Sequence, residues 1–160
     1  MLLPMLTFTW VAAPAFTSAA HADAHVVFRI KNHANGRCLD ADANGIHSNG
    51  DRVQLWDCTG GGNQLWYYNF LPSGAVQVVN AASGKCLDAD AGGSNSNGDK
   101  VQLWDCVGGI NQVWDDVDNP PFWLNEAHGL CLDADGNGLR TNGDRVQLWA
   151  CNGGANQQWN

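Results

Sequence analysis

The sequence predicts an all-β fold of three pseudo-symmetric, four-stranded repeats closed around a shared core. Two observations predict it: one long motif recurs three times in register, and no segment sustains a helical hydrophobic period. The recurring stretch is Asn49-Gly50-Asp51-Arg52-Val53-Gln54-Leu55-Trp56-Asp57-Cys58, closed by Asn63-Gln64-Leu65-Trp66. It returns over residues 97–106 with Asn111-Gln112-Val113-Trp114, and over 142–151 with Asn156-Gln157-Gln158-Trp159. Each copy follows a Cys-Leu-Asp-Ala-Asp run that begins at Cys38, Cys86 or Cys131. The two cysteines of a copy stand 20 residues apart every time.

Within a repeat, short apolar or alternating runs broken by Gly, Asn, Asp and Pro mark the strands. Residues 26–30, 76–79 and 122–124 open the repeats. Cys-Leu-Asp supplies a second strand, Val-Gln-Leu-Trp a third, and Gln-x-Trp with its neighbours a fourth. The interval between copies shortens after Trp114, where residues 115–121 replace the longer connection at 67–74. Such a repeat cannot bury its apolar face alone, so the three must share one core. Closure into a barrel-like body does this without leaving open sheet edges. The architecture that fits is a β-trefoil, with repeats over about 25–68, 69–116 and 117–160.

Ahead of the repeats, residues 1–22 read as a secretory signal segment, which leaves 23–160 as the domain. Leu2 to Ala20 is mostly apolar and small, and Ala20-His21-Ala22 fits a small-x-small cleavage site, although no Lys or Arg stands near Met1. Pro4 and Pro14 interrupt the run, which falls short of the ~20 apolar residues of a membrane span. All 6 cysteines follow this segment, as a disulfide framework in a secreted, extracellular chain would have them. Zinc fits poorly: there is no Cys-x-x-Cys pair, and the 5 histidines follow no repeat. Six cysteines allow ~15 connectivities, but the repeat selects Cys38 with Cys58, Cys86 with Cys106 and Cys131 with Cys151. The net charge of −8 argues against nucleic acid, and no polybasic run points to a membrane surface.

In Val53-Gln54-Leu55-Trp56, alternation puts Val53 and Leu55 on one face and Gln54 and Trp56 on the other. Leu39, Val53, Leu55 and Trp66 already furnish a core, so Trp56 reads as an exposed platform beside Gln54 and, through the disulfide, near Asp40. A carboxylate acceptor, amides and one flat aromatic form a set suited to a non-ionic polyol.

The Cys-Leu-Asp, Gln-Leu-Trp and Gln-x-Trp signatures resemble the ricin-B-type (R-type) lectin family, also known as family 13 carbohydrate-binding modules. The resemblance runs from Val26 to the C-terminus and implies a β-trefoil with one shallow sugar pocket per lobe. It carries the sugar-contacting positions to Asp40, Gln54, Trp56 and Asn63 in the first lobe, with Gln64 bracing the aspartate. The second lobe matches with Asp88, Gln102, Trp104, Asn111 and Gln112, and the third with Asp133, Gln147, Trp149, Asn156 and Gln157. Trp66, Trp114 and Trp159 fall at the family's core position. On this reading the C–H face of a pyranose lies on Trp56, Asp40 accepts from two adjacent hydroxyls, and Asn63 donates to one of them. Galactose-type sugars fit best, with xylan-like or other plant cell-wall polysaccharide second. No cofactor or metal is expected, and no catalysis. The chain stops one residue past the last Gln-x-Trp, which predicts a short final strand and a frayed third lobe.

Three other readings remain open on the residues. Asp40-x-Asp42-x-Asn44-Gly45 with Asp51, and Asp133-x-Asp135-x-Asn137-Gly138 with Asp144, match an EF-hand calcium loop except for the final Asp. The middle copy has Gly92 at the fifth place, and strands rather than helices follow each loop. A glycoside hydrolase would need one asymmetric pair of carboxylates rather than three equal sets; a binding module detached from such a secreted enzyme fits better. A trefoil protease inhibitor would not need three equal Asp/Gln/Trp/Asn sets.

Overall fold

The computed structural model describes residues 25–93, 95–117, 122–137 and 141–160, so the signal segment expected at 1–22 lies outside the described residues. Among these, the named strands are β1 (Cys38–Ala41), β2 (Asp51–Trp56), β3 (Trp66–Phe70), β4 (Val76–Asn80), β5 (Cys86–Ala89), β6 (Asp99–Trp104), β7 (Trp114–Val117), β8 (Phe122–Asn125), β9 (Leu130–Ala134) and β10 (Asp144–Trp149). The expected β-trefoil is the fold observed. Two expected strands are reduced to bridges. The opening run pairs only as Phe28 with Trp66, Lys31 with Cys38 and Asn32 with Trp159, and the closing run as Gln158 with Phe122.

The expectation that the third lobe frays at its end is not what the structure shows. The Lys31 amide donates to the Asn160 carbonyl at 2.6 Å, and the Asn160 amide donates back at 2.9 Å. His33 N donates to Gln158 O at 2.9 Å. The first and last strands are each other's partners, so the few residues beyond Gln157 suffice to close the body.

Within each repeat a hairpin sets the site. β1 pairs with β2, β5 with β6 and β9 with β10, all antiparallel. Their registers place Asp40 opposite Gln54, Asp88 opposite Gln102 and Asp133 opposite Gln147. Between repeats, β2, β6 and β10 each pair with the other two and close a triangle about the pseudo-threefold axis. Apolar side chains of the three hairpins fill the space beneath: Leu39, Leu87 and Leu132, and Leu55, Leu103 and Leu148, are all fully buried. Trp66, Trp114 and Trp159 are buried with them, as expected, and each indole N–H donates at 3.0 Å to the carbonyl of Leu39, Leu87 or Leu132. A buried indole needs such an acceptor.

The three disulfides are Cys38–Cys58, Cys86–Cys106 and Cys131–Cys151, the pairing the repeat selects. Each ties the first residue of one hairpin strand, or its neighbour, to the segment beyond the other strand. Because the loops are equal in length, replacing any one of the three cysteine pairs by alanine is expected to lower stability by a similar ~3 kcal/mol. Guanidinium unfolding of the three double variants checks this. Trp66→Ala, which empties a core site, is expected to cost ~3–5 kcal/mol in the same assay.

Candidate functional site

A buried carboxylate is costly unless its lone pairs are taken. Asp40 is only 3 % exposed, and three amides converge on it. Gln54 Nε2, delivered by the hairpin register, donates to Oδ1 at 3.0 Å. Asn63 Nδ2 and Gln64 Nε2 both donate to Oδ2 at 2.8 Å. They come from a 3-10 turn over Gly62–Gln64, just ahead of β3. The second lobe repeats this on Asp88 with Gln102 at 3.0 Å and Asn111 and Gln112 at 2.9 Å. The third does so on Asp133 with Gln147 at 3.1 Å, Asn156 at 2.8 Å and Gln157 at 2.9 Å.

These contacts narrow the expected chemistry. An aspartate offers about four lone-pair positions, and the amides occupy three, so Asp40 has room for one sugar hydroxyl rather than two. Asn63 Nδ2 also donates to Ala41 O at 3.0 Å, so both of its hydrogens are committed and its oxygen is the side left for a ligand. Gln64 is fully buried: its Nε2 reaches Asp57 O at 2.9 Å and its Oε1 accepts from Thr59 N at 2.8 Å. It braces the carboxylate from behind, and Gln112 and Gln157 do the same in their lobes.

The strand alternation holds, but its outer face is covered at Gln54. Gln54 is 4 % exposed, although it sits on the face away from the core, because it is turned in against Asp40. Trp56, at the strand end, is 36 % exposed, and Trp104 and Trp149 match it at 38 % and 37 %. Beside Trp56 lies a cleft of about 470 Å³ lined by Asp40, Gln54 and Asn63. A cleft of about 410 Å³ has Trp149, Asp133, Gln147 and Asn156 in the same places.

Both clefts extend beyond one repeat, which the sequence did not reveal. Asn142 and Gly143 of the third repeat, together with Arg52, Asp42, Asn44 and Thr59, complete the first cleft. Asn97 and Gly98 of the second repeat, with Arg145, complete the third. The asparagine of each Asn-Gly-Asp motif bridges to the neighbouring repeat. Asn142 Oδ1 accepts from Asp57 N at 2.8 Å while its Nδ2 donates to Asp57 Oδ2 at 3.0 Å. Asn49 does the same to Asp105, both at 2.9 Å, and Asn97 Oδ1 accepts from Ala150 N at 2.6 Å. The threefold recurrence of Asn-Gly-Asp was the available signal. Gly143 is required in its place: its φ is +89°, and an added Cβ would sit 2.9 Å from Arg52 Nη2 and 3.8 Å from the Trp56 ring.

The calcium-like loops are engaged as turns. Asp42 Oδ1 accepts from Asn44 N at 3.0 Å and Asp135 Oδ1 from Asn137 N at 3.1 Å, side-chain turns typical of Asp. Gly45, at the loop's glycine position, makes room for the Asp51 carboxylate, which an added Cβ would overlap. Asp99 and Asp144 each accept a backbone N–H at 3.0 Å, from Ser96 and Thr141. Asp51 Oδ2 is buried without a partner among the described residues. Those residues contain no cluster of three or more His, Cys, Asp or Glu arranged to hold a metal ion.

Residues 26–159 match the ricin-type β-trefoil lectin domain, and the chain belongs to that family, whose members generally bind carbohydrate without catalysis. No curated protein matches the chain by sequence. Among solved structures it is similar to the designed threefold-symmetric protein ThreeFoil, at 30 % identity and a TM-score of 0.78 over 83 % of this chain and 95 % of that one. It is similar to an exo-β-1,3-galactanase from Clostridium thermocellum at 25 % identity and 0.74, covering 86 % of this chain but 30 % of the enzyme. The Macrolepiota procera ricin B-like lectin, solved in complex with lactose, shares the fold at 21 % identity and 0.68, over 88 % of this chain and 96 % of that one.

Burial holds the carboxyls of Asp40, Asp88 and Asp133 above the ordinary aspartate value of 3.8, outweighing the amide hydrogen bonds that pull the other way. The native state therefore takes up these protons at a higher pH than the unfolded chain does. Between the two values stability falls as pH rises, so acidification through this window does not cost stability on account of these groups. Carbon-detected NMR is expected to show all three carboxyls titrating above 3.8 while near-ultraviolet circular dichroism stays native.

Proposed function

We propose that this protein is a secreted, non-catalytic lectin that binds galactose-type sugars, with xylan-like polysaccharide as second choice, through up to three equivalent sites. The observation that carries the reading is the threefold recurrence of one arrangement, a half-exposed tryptophan beside a buried, amide-braced aspartate, which in the first and third lobes lines an open cleft. The C–H face of a pyranose packs on Trp56. One of its hydroxyls donates to the remaining lone pair of Asp40, a charge-assisted bond, and the oxygen side of Asn63 accepts another. Gln54 and Gln64 fix the carboxylate and do not themselves need to move. The three disulfides favour an oxidising, extracellular setting. The galactanase likeness, confined to 30 % of that enzyme, also fits a module that works attached to a secreted hydrolase.

One platform and a few hydrogen bonds give a monosaccharide affinity near millimolar, about −4 kcal/mol. A polymer that engages more than one lobe gains ~10²–10⁴ over a single site. Changing Trp56, Trp104 or Trp149 singly to Ala is expected to weaken binding to a galactan several-fold with the melting temperature nearly unchanged. The triple change is expected to abolish it. Calorimetry and affinity electrophoresis measure both; an unfolded single variant, or full binding by the folded triple variant, would remove these tryptophans from the site.

The orphaned Asp51 oxygen, close enough to Asp42 for the two charges to repel, is the one observation favouring a calcium-dependent first lobe. Galactan binding measured in EDTA separates the readings. It is expected to persist, and a complete loss restored by added calcium would establish the calcium reading instead.

A further inference from the structure

The basic residue of each Asn-Gly-Asp-(Arg/Lys) copy lies where β2, β6 and β10 meet. A pocket of about 330 Å³ opens there, lined by Arg52, Lys100 and Arg145 over Val53, Val101 and Val146. The valines are buried core residues, at 1–2 % exposure, so the floor is apolar. Its remaining lining is the backbone of Gly50 and Gly143, and no carboxylate contributes to it. Three of the 8 basic side chains of a chain with net charge −8 thus gather in one pocket. Among the described residues none of the three is in an ion pair; the two ion pairs are Arg37 with Asp57 and Lys85 with Asp105.

Each cation is instead tethered to the repeat next to it. Lys100 Nζ donates to Gly50 O at 2.8 Å, Arg52 Nη2 donates to Gly143 O, and Arg145 Nη2 donates to Gly98 O. One such bond fixes the direction of the side chain and leaves further donors, since a guanidinium carries five N–H and an ammonium three. Gly50 and Gly143 are held at φ of +84° and +89°; an added Cβ would crowd Arg52 Nη2 at Gly143, at 2.9 Å, and only touch Lys100 Nζ at Gly50, at 3.8 Å.

We infer that this axial pocket binds one tetrahedral oxyanion, a sulfate or phosphate group, with a charge-assisted contact from each repeat. A tetrahedral group viewed along one bond presents three equivalent oxygens, which matches three donors set around a pseudo-threefold axis. A planar carboxylate offers two. Charge-assisted bonds from Arg and Lys are the usual means of holding such groups. The oxyanion is either a free ion or an ester on a saccharide, because Arg52 and Arg145 also line the first and third clefts. The pocket itself stands whether or not the clefts bind sugar.

The test is an NMR titration with sodium sulfate against sodium chloride at matched ionic strength, following the amides of Gly50, Gly98 and Gly143. Sulfate is expected to give saturable shifts and chloride none. Lys100→Gln is expected to weaken sulfate binding several-fold, and the combined R52Q, K100Q and R145Q variant to lose it. If the combined variant does not fold, K100Q alone decides. The W56A, W104A and W149A triple variant is expected to bind sulfate as the parent does, so failure of the sugar reading and failure of this one are told apart. Retention of a sulfated galactan beyond the unsulfated polymer, competed away by inorganic sulfate, would assign an ester as the source; equal retention with saturable sulfate binding would assign the free ion. Non-saturating sulfate shifts in the parent, or saturable shifts that survive K100Q unchanged, would overturn the proposal.

Discussion

The structure depends on the closure of β2, β6 and β10 around the axis, because no repeat covers its own apolar face. Each strand pairs with both of the others, and the turn glycine ahead of each supplies a further bond across the boundary. Gly50 N donates to Leu103 O, Gly98 N to Leu148 O and Gly143 N to Leu55 O, all at 2.8 Å. The contacts run in one direction around the ring, first repeat to second to third to first. Removing one repeat would leave two open strand edges and the leucines beneath them in water. The same closure builds the clefts, since each described cleft borrows an asparagine and a glycine from the repeat before it in the ring. An isolated repeat would have neither a core nor a complete site.

The buried aspartates connect that scaffold to its chemistry. Asp40 receives one amide from β2 and two from the 3-10 turn before β3, so a single carboxylate ties together three parts of the repeat. Removing it would strand the buried amides of Gln54 and Gln64 and the half-buried amide of Asn63, each costly to leave unpaired. Asp40 is therefore structural, and under the proposed reading it also meets the sugar, so its substitution would report on both. The tryptophan platform is different: it lies at a strand end, partly in solvent, and nothing in the core leans on it. Its loss would leave the fold intact, whereas loss of the aspartate would not.

Much of this was legible in the sequence because repetition fixes register. Equal spacing identified the disulfides, and alternation in Val53-Gln54-Leu55-Trp56 identified the core pair Val53 and Leu55. For Gln54 alternation gives the face but not the burial, since it distinguishes two faces of a strand but not whether the second face is covered. Gln54 is covered because it turns in against Asp40, whose other oxygen is held by Asn63 and Gln64 of the 3-10 turn, and no periodic pattern signals that. The firm C-terminus was missed because its partner, Lys31, lies at the other end of the chain. The asparagine bridges and the axial cations were missed for one shared reason. They act between repeats, and a motif compared with its own copies shows that a residue recurs, not which neighbour it meets.

Departures from symmetry show which of these contacts carry the closure. In the first repeat Arg37 pairs with Asp57 at 3.1 Å, and in the second Lys85 pairs with Asp105 at 2.5 Å. The corresponding residues of the third are Leu130 and Ala150, so both members of the ion pair are exchanged together. Losing only one would leave an unmatched charge beside the strand end, whereas losing both removes the need for either. Leu130 packs against the core instead. The asparagine bridge to this position nevertheless survives, because Asn97 Oδ1 takes the Ala150 backbone N–H and needs no side chain there. In both ion pairs the cation is largely covered and the aspartate lies in solvent, and the third repeat dispenses with the pair. A backbone donor at a repeat boundary has no such substitute, which is why the asparagine is present in all three copies while the charges are not.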